Sequence, residues 1–299
     1  MSAPAMLSPE VRARLRTLRL APRLARGDRG FGLHASHSRG AGLEFAQYRA
    51  YEPGDELRQV DWKLHARSDR WFVREAERDS PLTAWIIVDT SASMAQGDDA
   101  RPGWSRLDAA RGLAAATIEI ALRQGDRFGL AAAGGAGLLL QPAAAGPRHR
   151  DRCLLALAAL RADGGWPAEA AMAPLYGRIA PLDLVLLLSD GFDEAALGLA
   201  GRLAAARREV LMVRLLTVEE RDFPFAGGHR FRDPESGLEL RGDGAAMRAD
   251  FLERFGASRR EQTARLAAAG IRQVEHVLDE PLDLPLRRLF SRDMAGAAP

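Results

Sequence analysis

Two aspartates and two serines are the residues whose types and spacing best suit metal chemistry. Asp89, Ser91 and Ser93 alternate at the end of one apolar run, and Asp190 follows a second apolar run. Residues at positions i, i+2 and i+4 of an extended turn point to one side, so the first three are expected to converge. Their carboxylate and hydroxyl oxygens form a ligand set that suits Mg²⁺ or Mn²⁺, with waters in the remaining positions. An incompletely filled octahedron leaves one position for an acidic group of a partner.

An ordinary structural role for the same residues is the alternative. Aspartate and serine are common turn formers and helix N-caps after strands. Residues 189–191 (SDG) follow the second apolar run, and the pairing of two such strand ends favours a metal site over two unrelated turns. The residues by themselves leave both interpretations open.

The elements that must position these residues are predicted to form a doubly wound α/β fold. Short, continuous apolar runs indicate strands that are buried on both faces. Helical patterns lie between these runs, and such alternation is typical of a mostly parallel sheet. Ligands of such sheets bind at the carboxyl ends of the strands, which is where Asp89 and Asp190 are expected. The predicted strands are 82–88, 127–133, 182–188, 209–217 and 271–278, and the predicted helices are 106–123, 148–160, 194–207 and 247–269.

The chain is predicted to divide into two parts. Residues 1–80 are rich in arginine and turn residues, and they are predicted to form a small N-terminal β-rich subdomain with strands at 44–52 and 70–77. Residues 81–299 hold the main sheet. Within this second part, residues 222–245 are predicted to contain a β-hairpin insertion, because two short strand patterns flank turn residues.

Composition narrows the class of protein. The chain has 299 residues, of which 47% are hydrophobic and 27% are charged, a mixture typical of globular proteins. No apolar run is long enough for a membrane span, and no signal segment is expected at the start. Cys153 is the only cysteine, which excludes a disulfide within these residues and favours a reduced, cytoplasmic setting. The 42 basic and 40 acidic residues are interspersed, which argues against nucleic-acid binding.

The loop after the first main strand resembles that of a known domain family. Residues 89–94 (DTSASM) resemble the first loop of a von Willebrand factor A-like domain, the metal-ion-dependent adhesion site. The resemblance implies that Asp89, Ser91 and Ser93 belong to a metal site, with Asp190 contributing through water.

The sequence departs from that family at one position. A complete adhesion site also takes a threonine from a second loop. The corresponding stretch here is 163–167 (DGGWP), in which Trp166 stands at the place of the threonine. The sequence therefore leaves open whether the site binds Mg²⁺ or Mn²⁺.

A narrower resemblance begins in the first part of the chain. Residues 36–45 (SHSRGAGLEF), 48–58 (YRAYEPGDELR) and 60–62 (VDW) look like the signature of a bacterial family of unknown function associated with MoxR AAA+ ATPases. In that family the signature precedes an A-like domain. Residues 223–225 (FPF) and 233–237 (DPESG) fit the same pattern, so the resemblance covers most of the chain.

The signature residues themselves have an expected structural role. Asp55, Arg58, Asp61 and Arg67 are expected to form an ion-pair network that ties the first subdomain to the A-like domain, and Trp62 is expected to be a packing anchor. The remaining signature residues, Tyr51, Pro53 and Gly54, surround a turn.

The resemblance implies a non-enzymatic, cytoplasmic adaptor that works with a MoxR-type AAA+ ATPase on client proteins. The A-like domain would engage an acidic residue of a partner through the bound cation. The chain has no phosphate loop and its only lysine is Lys63, so the ATPase is expected to be a separate protein.

Two other functions fit the sequence less well. A metal-assisted phosphohydrolase would use Asp89 as nucleophile, but it would need an acid two residues later, where Ser91 stands. A hydroxyl of ordinary acidity is a poor proton donor and acceptor for that step. Nucleic-acid binding through the arginine-rich start lacks the interleaved aromatic residues of single-strand binding surfaces.

Overall fold

The computed structural model describes residues 6–22, 44–52, 60–77, 82–235 and 237–291. The chain divides into two compact units. The larger unit comprises Met1–Gly30 and Leu82–Pro299, and the smaller unit comprises Phe31–Pro81. The start of the chain therefore groups with the main sheet.

Strands and helices alternate through most of the larger unit. In chain order the strands are β1 (Glu44–Ala50), β2 (Phe72–Glu77), β3 (Thr83–Asp89), β4 (Arg127–Gly134), β5 (Gly137–Ala144), β6 (Leu184–Ser189), β7 (Glu209–Leu216), β8 (Gly228–Arg232), β9 (Glu239–Asp243) and β10 (Arg272–Val277). The α-helices are α1 (Pro9–Arg14), α2 (Trp62–Ser68), α3 (Arg106–Gln124), α4 (Pro147–Ala159), α5 (Glu169–Tyr176), α6 (Glu194–Ala205), α7 (Val218–Asp222), α8 (Gly244–Ala268) and α9 (Leu284–Phe290). A short 3-10 helix spans Ala92–Ala95.

Six strands form the central sheet, in the spatial order β10-β7-β6-β3-β4-β5. Neighbouring strands are parallel except for β4 and β5. The sheet starts in its middle with β3, winds to one edge through β4 and β5, and then winds to the other edge through β6, β7 and β10. This is the strand order of doubly wound folds, and the winding direction reverses between β3 and β6. The predicted fold class, a doubly wound, mostly parallel α/β sheet, is confirmed.

Both faces of the central strands β3, β6 and β7 are buried, as their continuous apolar runs predict. On β3, Ile86 and Val88 pack into one hydrophobic cluster, whereas Trp85 and Ile87 pack into the cluster on the opposite face. Removal of these apolar side chains from water stabilises the central strand from both sides. Because β3 is held between two hydrophobic clusters, the loop that follows it begins at a fixed place.

The start of α3 is also fixed locally. Ser105 is the N-cap, and its side chain and that of Asp108 form a reciprocal capping box with the backbone. Such a box satisfies two otherwise free N–H groups at the helix start. The first helical residue, Arg106, is thereby held at a defined place beside the loop after β3.

The structure departs from the predicted boundary at residue 80. Leu7, Leu15 and Leu18 are buried in the same hydrophobic cluster as the first face of the sheet. Arg123 Nη2, near the end of α3, donates hydrogen bonds to the carbonyl oxygens of Leu15 and Leu18. The leucines of this arginine-rich segment anchor it, so the start of the chain is not part of the β-rich subdomain.

The described residues of the smaller unit include a two-stranded antiparallel sheet and a helix. β1 pairs with β2, with Ala50 opposite Phe72, close to the predicted strands. Asp61 begins α2 by accepting hydrogen bonds from the N–H groups of Lys63 and Leu64 at 2.9 and 3.0 Å. Of the proposed ion-pair network, Asp55 and Arg58 lie outside the described residues.

Three aromatic rings of the smaller unit contact one another. The Trp71 ring lies 5.5 Å from that of Trp62 and 5.9 Å from that of Tyr51, measured between centroids. Trp62 contacts its neighbours yet is 54% exposed. The turn at Pro53 and Gly54 lies outside the described residues.

The predicted β-hairpin insertion is confirmed. β8 and β9 pair antiparallel, with Arg230 opposite Arg241. The Gly237 N–H donates to the Asp233 carbonyl oxygen at 2.9 Å and closes the turn. The observed strands lie within the predicted 222–245 segment.

The strand β5 and the helix α5 are among the elements that the sequence prediction did not include. β5 contains Pro142, which normally argues against a strand, but β5 is at the edge of the sheet, where a missing N–H breaks no ladder. α5 contains Pro174 in its interior.

Among the described residues, no helix combines the length and the apolar character needed to cross a membrane.

Candidate functional site

The candidate residues lie where the winding of the sheet reverses. Asp89 ends β3 and Ser189 ends β6, and these strands are direct neighbours in the sheet. Ser189 Oγ donates a hydrogen bond of 2.6 Å to Asp89 Oδ2. Ligands of doubly wound sheets bind at this point, because the loops from the two halves diverge and leave a crevice.

The two serines of the loop lie side by side. The Ser91 N–H donates to Asp89 Oδ1 at 2.9 Å, and Ser91 Oγ lies 3.0 Å from Ser93 Oγ. Asp89, Ser91 and Ser93 are 0%, 1% and 5% exposed. The 3-10 helix that begins at Ala92 turns the chain and brings the second serine back beside the first.

These three residues fit a divalent cation. Octahedral Mg²⁺ binds oxygens at about 2.1 Å, which places neighbouring ligand oxygens about 3 Å apart. The Ser91 and Ser93 hydroxyl oxygens have this separation at 3.0 Å. Both carboxylate oxygens of Asp89 already accept one hydrogen bond, but each has a second lone pair. Asp89, Ser91 and Ser93 therefore retain the acceptor capacity that a metal ligand set requires.

Asp190 has a different environment from the other candidates. Its Oδ2 accepts a hydrogen bond from Arg106 Nη1 at 3.2 Å, and its Oδ1 accepts one from the Phe192 N–H at 3.1 Å. Each carboxylate oxygen accepts one hydrogen bond, as in Asp89, but Asp190 is also paired with the positive charge of Arg106. A contribution of Asp190 to a metal site would run through water or through its charge.

Arg106 is a site residue that sequence reasoning missed. Its side chain is fully buried and also donates to the Ser93 carbonyl oxygen at 3.0 Å and to the Glu220 carboxylate. One signal was available in the sequence. A cation at the first position of a helix opposes the helix dipole, and this unfavourable placement indicates a specific anionic partner.

Burial makes the Asp89 carboxylate hold its proton unusually tightly. Removal from water raises the pKa of Asp89 from its ordinary 3.8 to about 6, and the negative charge of Asp190 adds to this effect. Hydrogen bonds from Ser189 and Ser91 act in the opposite direction. A nearby cation would favour the ionised form, because it offsets the charge that burial penalises.

The loop that contains Trp166 lies against the loop after β3. The Ala92 N–H donates to the Gly164 carbonyl oxygen at 2.6 Å, and the Asp163 N–H donates to the Thr90 carbonyl oxygen at 3.0 Å. Gly164 has a φ of +58°, and a Cβ there would lie 2.6 Å from the Cα of Gly135. Glycine is needed at this crossing because a side chain would collide with backbone.

Trp166 packs elsewhere and supplies no ligand atom. The side chain lies against the hydrophobic cluster on the second face of the sheet, where Met172 and Leu175 are buried. An indole carries no oxygen, so this position offers nothing to a hard cation.

Serine hydroxyls are essential to any cation site here. Within the described ranges, no three His, Cys, Asp or Glu side chains are grouped so as to hold a metal ion. The Ser91 hydroxyl is close to that of Ser93 and occupies the place where a phosphohydrolase would need its general acid.

Comparison with known sequences gives one family and a set of relatives. The model of the family described as "Protein of unknown function DUF58" matches residues 47–264. The chain is 31% identical over 262 residues to the uncharacterized protein Rv1480 of Mycobacterium tuberculosis, a match covering 86% of this chain and 81% of that protein.

Solved structures with lower similarity are also found. BatB from Bacteroides thetaiotaomicron shares 16% identity over 65% of this chain and 91% of its own, with a TM-score of 0.39. The SpRpn10 VWA domain shares 13% identity over 71% of this chain and 96% of its own, with a TM-score of 0.37. The fold assignment rests on the strand order described above and not on these similarities.

Proposed function

Since the chain belongs to the family described as Protein of unknown function DUF58, we propose for it the function that its site supports best. The protein is a non-enzymatic binding protein that holds an acidic side chain of a partner through a divalent cation, Mg²⁺ or Mn²⁺. The separation of 3.0 Å between the Ser91 and Ser93 hydroxyl oxygens, next to the Asp89 carboxylate, is the observation that carries this proposal.

Each residue of the site has a defined part in such binding. Ser91 and Ser93 present two neighbouring oxygens, and Asp89 presents a carboxylate that Ser189 orients. The cation supplies positive charge and an open coordination position for a carboxylate from outside. Arg106 neutralises Asp190 and so limits the negative charge that an incoming acid would meet.

The partner follows from the family resemblance. A family associated with MoxR AAA+ ATPases supports an adaptor that links such an ATPase to client proteins in the cytoplasm. The absence of a phosphate-loop sequence, with Lys63 as the only lysine, supports a separate protein as the source of ATP hydrolysis.

An affinity capture from the source organism's own extract tests the proposal. The tagged full chain is used with Mg²⁺, with a chelator, and as the variants Asp89→Ala and Asp89→Asn, and captured proteins are identified by mass spectrometry. Asp151→Ala, which removes an exposed carboxylate on α4, is the matched control. Thermal unfolding of each variant establishes that the protein is folded.

We expect a MoxR-type ATPase to be captured by the wild type and by Asp151→Ala with Mg²⁺, and lost with chelator or in both Asp89 variants. Capture that is independent of metal and of Asp89 would refute the cation mechanism. Hydrolysis of p-nitrophenyl phosphate by the wild type that disappears in Asp89→Ala would instead establish an enzyme.

A further inference from the structure

A buried arginine is linked through a glutamine to the backbone of the loop after β6. Arg214 of β7 has a side chain that is 1% exposed, and its Nη2 donates a hydrogen bond of 2.7 Å to Gln262 Oε1 of α8. Gln262 Nε2 donates to the Gly191 carbonyl oxygen at 3.3 Å. One side chain of α8 therefore connects a core strand with the loop.

The link continues from Gly191 to the candidate site. The Gly191 N–H donates to Ser189 Oγ at 3.0 Å, and Ser189 Oγ donates to Asp89 Oδ2 at 2.6 Å. A hydroxyl has a single proton to donate, so the bond from Gly191 uses a lone pair of Ser189 and leaves its proton for the carboxylate. An unbroken series of hydrogen bonds, the relay, thus runs from Arg214 through Gln262 and the loop to Asp89.

The strand register places the start of the relay beside its end. Ser189 lies opposite Arg214 of β7, and Arg214 lies opposite Glu275 of β10. Side chains at paired positions of neighbouring strands point to the same face of a sheet. Arg214 Nη1 lies 3.5 Å from Glu275 Oε1, and Arg259 Nε of α8 donates to the same carboxylate oxygen at 2.9 Å. The guanidinium of Arg214 is therefore held from β10 as well as from α8.

The loop backbone also approaches Arg214 directly. Gly191 has a φ of +76°, and a Cβ at this residue would lie 3.0 Å from Met212 Cε and 3.2 Å from Arg214 Nε. Glycine adopts the left-handed conformation without strain and has no Cβ to meet these atoms. The loop therefore packs against Arg214 in addition to its hydrogen bond with Gln262.

Glutamine has the chemistry that the place between these two partners requires. The Arg214 guanidinium can only donate, and the Gly191 carbonyl oxygen can only accept. A glutamine amide accepts through Oε1 and donates through Nε2, so Gln262 satisfies both partners in one orientation. A glutamate would lack the donor for Gly191, and an apolar side chain would satisfy neither partner.

We propose that Gln262 and Arg214 are positioning residues of the cation site. Through the backbone of Gly191 they hold the Ser189 hydroxyl on Asp89. This inference rests on the proposed function, since it takes Asp89 as a ligand of the cation. It also assigns a means of control to that site, because Gln262 lies on α8. The affinity for the cation then depends on the position of α8 against the sheet.

Titration of the full chain with Mn²⁺, followed by electron paramagnetic resonance of the free ion, tests this inference. Gln262→Met removes both contacts of the amide and keeps the length of the side chain. Gln273→Met is the matched control, because Gln273 Oε1 accepts from the same Arg214 Nη2 at 3.4 Å but lies on β10. We expect Gln262→Met to bind Mn²⁺ about tenfold more weakly than the wild type, and Gln273→Met to match the wild type. Equal affinity of the wild type and Gln262→Met would overturn the inference and leave the cation site standing.

A double-mutant cycle with Ser189→Ala separates positioning from a general loss of stability. Ser189→Ala removes the hydroxyl through which the relay reaches Asp89. In that background, Gln262→Met should weaken Mn²⁺ binding by less than about twofold, because the two residues act in one series. A further tenfold loss in the double variant would show that Gln262 acts by another route, and it would overturn the inference.

Hydrogen exchange without metal distinguishes a failure of this inference from a failure of the proposed function. Exchange of the loop amides at 189–193 is measured by mass spectrometry in the presence of chelator. We expect it to rise about tenfold in Gln262→Met and about threefold in Arg214→Lys, which keeps the charge without the planar fork, and to stay unchanged in Gln273→Met. Absence of Mn²⁺ binding to the wild type would refute the cation mechanism, whereas faster exchange in Gln262→Met would still support the positioning of the loop. Unchanged exchange in Gln262→Met would overturn the inference whether or not Mn²⁺ binds.

Discussion

Arg106 and Asp190 form a buried ion pair beneath the candidate site, with Arg106 Nη1 3.2 Å from Asp190 Oδ2 and neither side chain more than 1% exposed. The two residues come from the start of α3 and from the loop after β6, so the pair joins the two halves of the sheet. It also connects to Glu220 at the start of α7. The net charge of the region around the serine loop therefore depends on this ion pair.

Removal of Arg106 should be strongly destabilising. Arg106→Met leaves Asp190 and Glu220 without their cation, and breaking a buried pair in this way costs about 3–5 kcal/mol. The free energy of unfolding in urea measures the loss. Arg12→Ala, which breaks the ion pair of a half-exposed arginine with Glu119, should change it by less than about 1 kcal/mol. Similar effects of the two substitutions would show that the buried pair has no special role.

The ionisation of Asp89 should make stability depend on pH. Because burial raises the pKa of Asp89 to about 6, the folded state binds the proton more tightly than the unfolded state does. The stabilisation is complete below the ordinary pKa of 3.8 and is lost as the pH rises through 6. Between pH 4 and 7, the wild type should lose about 2 kcal/mol relative to Asp89→Asn.

Urea unfolding of both proteins across this pH range gives the comparison. Parallel pH profiles would mean that Asp89 ionises at its ordinary pKa in the folded protein. Saturating Mn²⁺ should reduce the difference between the profiles, because a cation stabilises the ionised carboxylate.

Mn²⁺ should raise the unfolding temperature through the two loop serines. A cation that binds only the folded state stabilises it by about 2.7 kcal/mol at a hundredfold excess over its Kd. Ser91→Ala and Ser93→Ala should each lose most of this shift, since each removes one of the two neighbouring hydroxyl oxygens. Ser258→Ala, at an exposed position of α8, should retain it. An equal shift in all four proteins would place the cation elsewhere.

Introducing a threonine at position 166 should not strengthen metal binding. Trp166 packs against the second hydrophobic cluster, so Trp166→Thr removes apolar contacts and should destabilise the protein by about 2 kcal/mol. Trp166→Phe keeps most of that packing and should cost less. A Mn²⁺ titration of the two variants should give the wild-type affinity, and tighter binding by Trp166→Thr alone would show that this position does reach the site.

The order of elements in the main sheet could be predicted from the sequence to a large extent. Continuous apolar runs such as 182–188 gave strands that are buried on both faces, because a strand between two layers of helices needs apolar side chains on each side. β5 was not predicted, because Pro142 is compatible only with an edge strand. Which strand lies at an edge is decided by the assembled sheet. The packing of the first residues of the chain was not predicted for a similar reason. The leucines at 7, 15 and 18 become core residues only when they pack against α3.

The candidate site divides in the same way. The alternation of Asp89, Ser91 and Ser93 and the strand end at Asp190 could be read from local sequence, because they lie in two short loops. The engagement of Asp190 by Arg106 was decided by tertiary structure. These two residues are far apart in the chain, and the packing of α3 beside the loop after β6 brings them together. Local sequence therefore specified the oxygen atoms of the site, whereas the charges around them depend on contacts between distant segments of the chain.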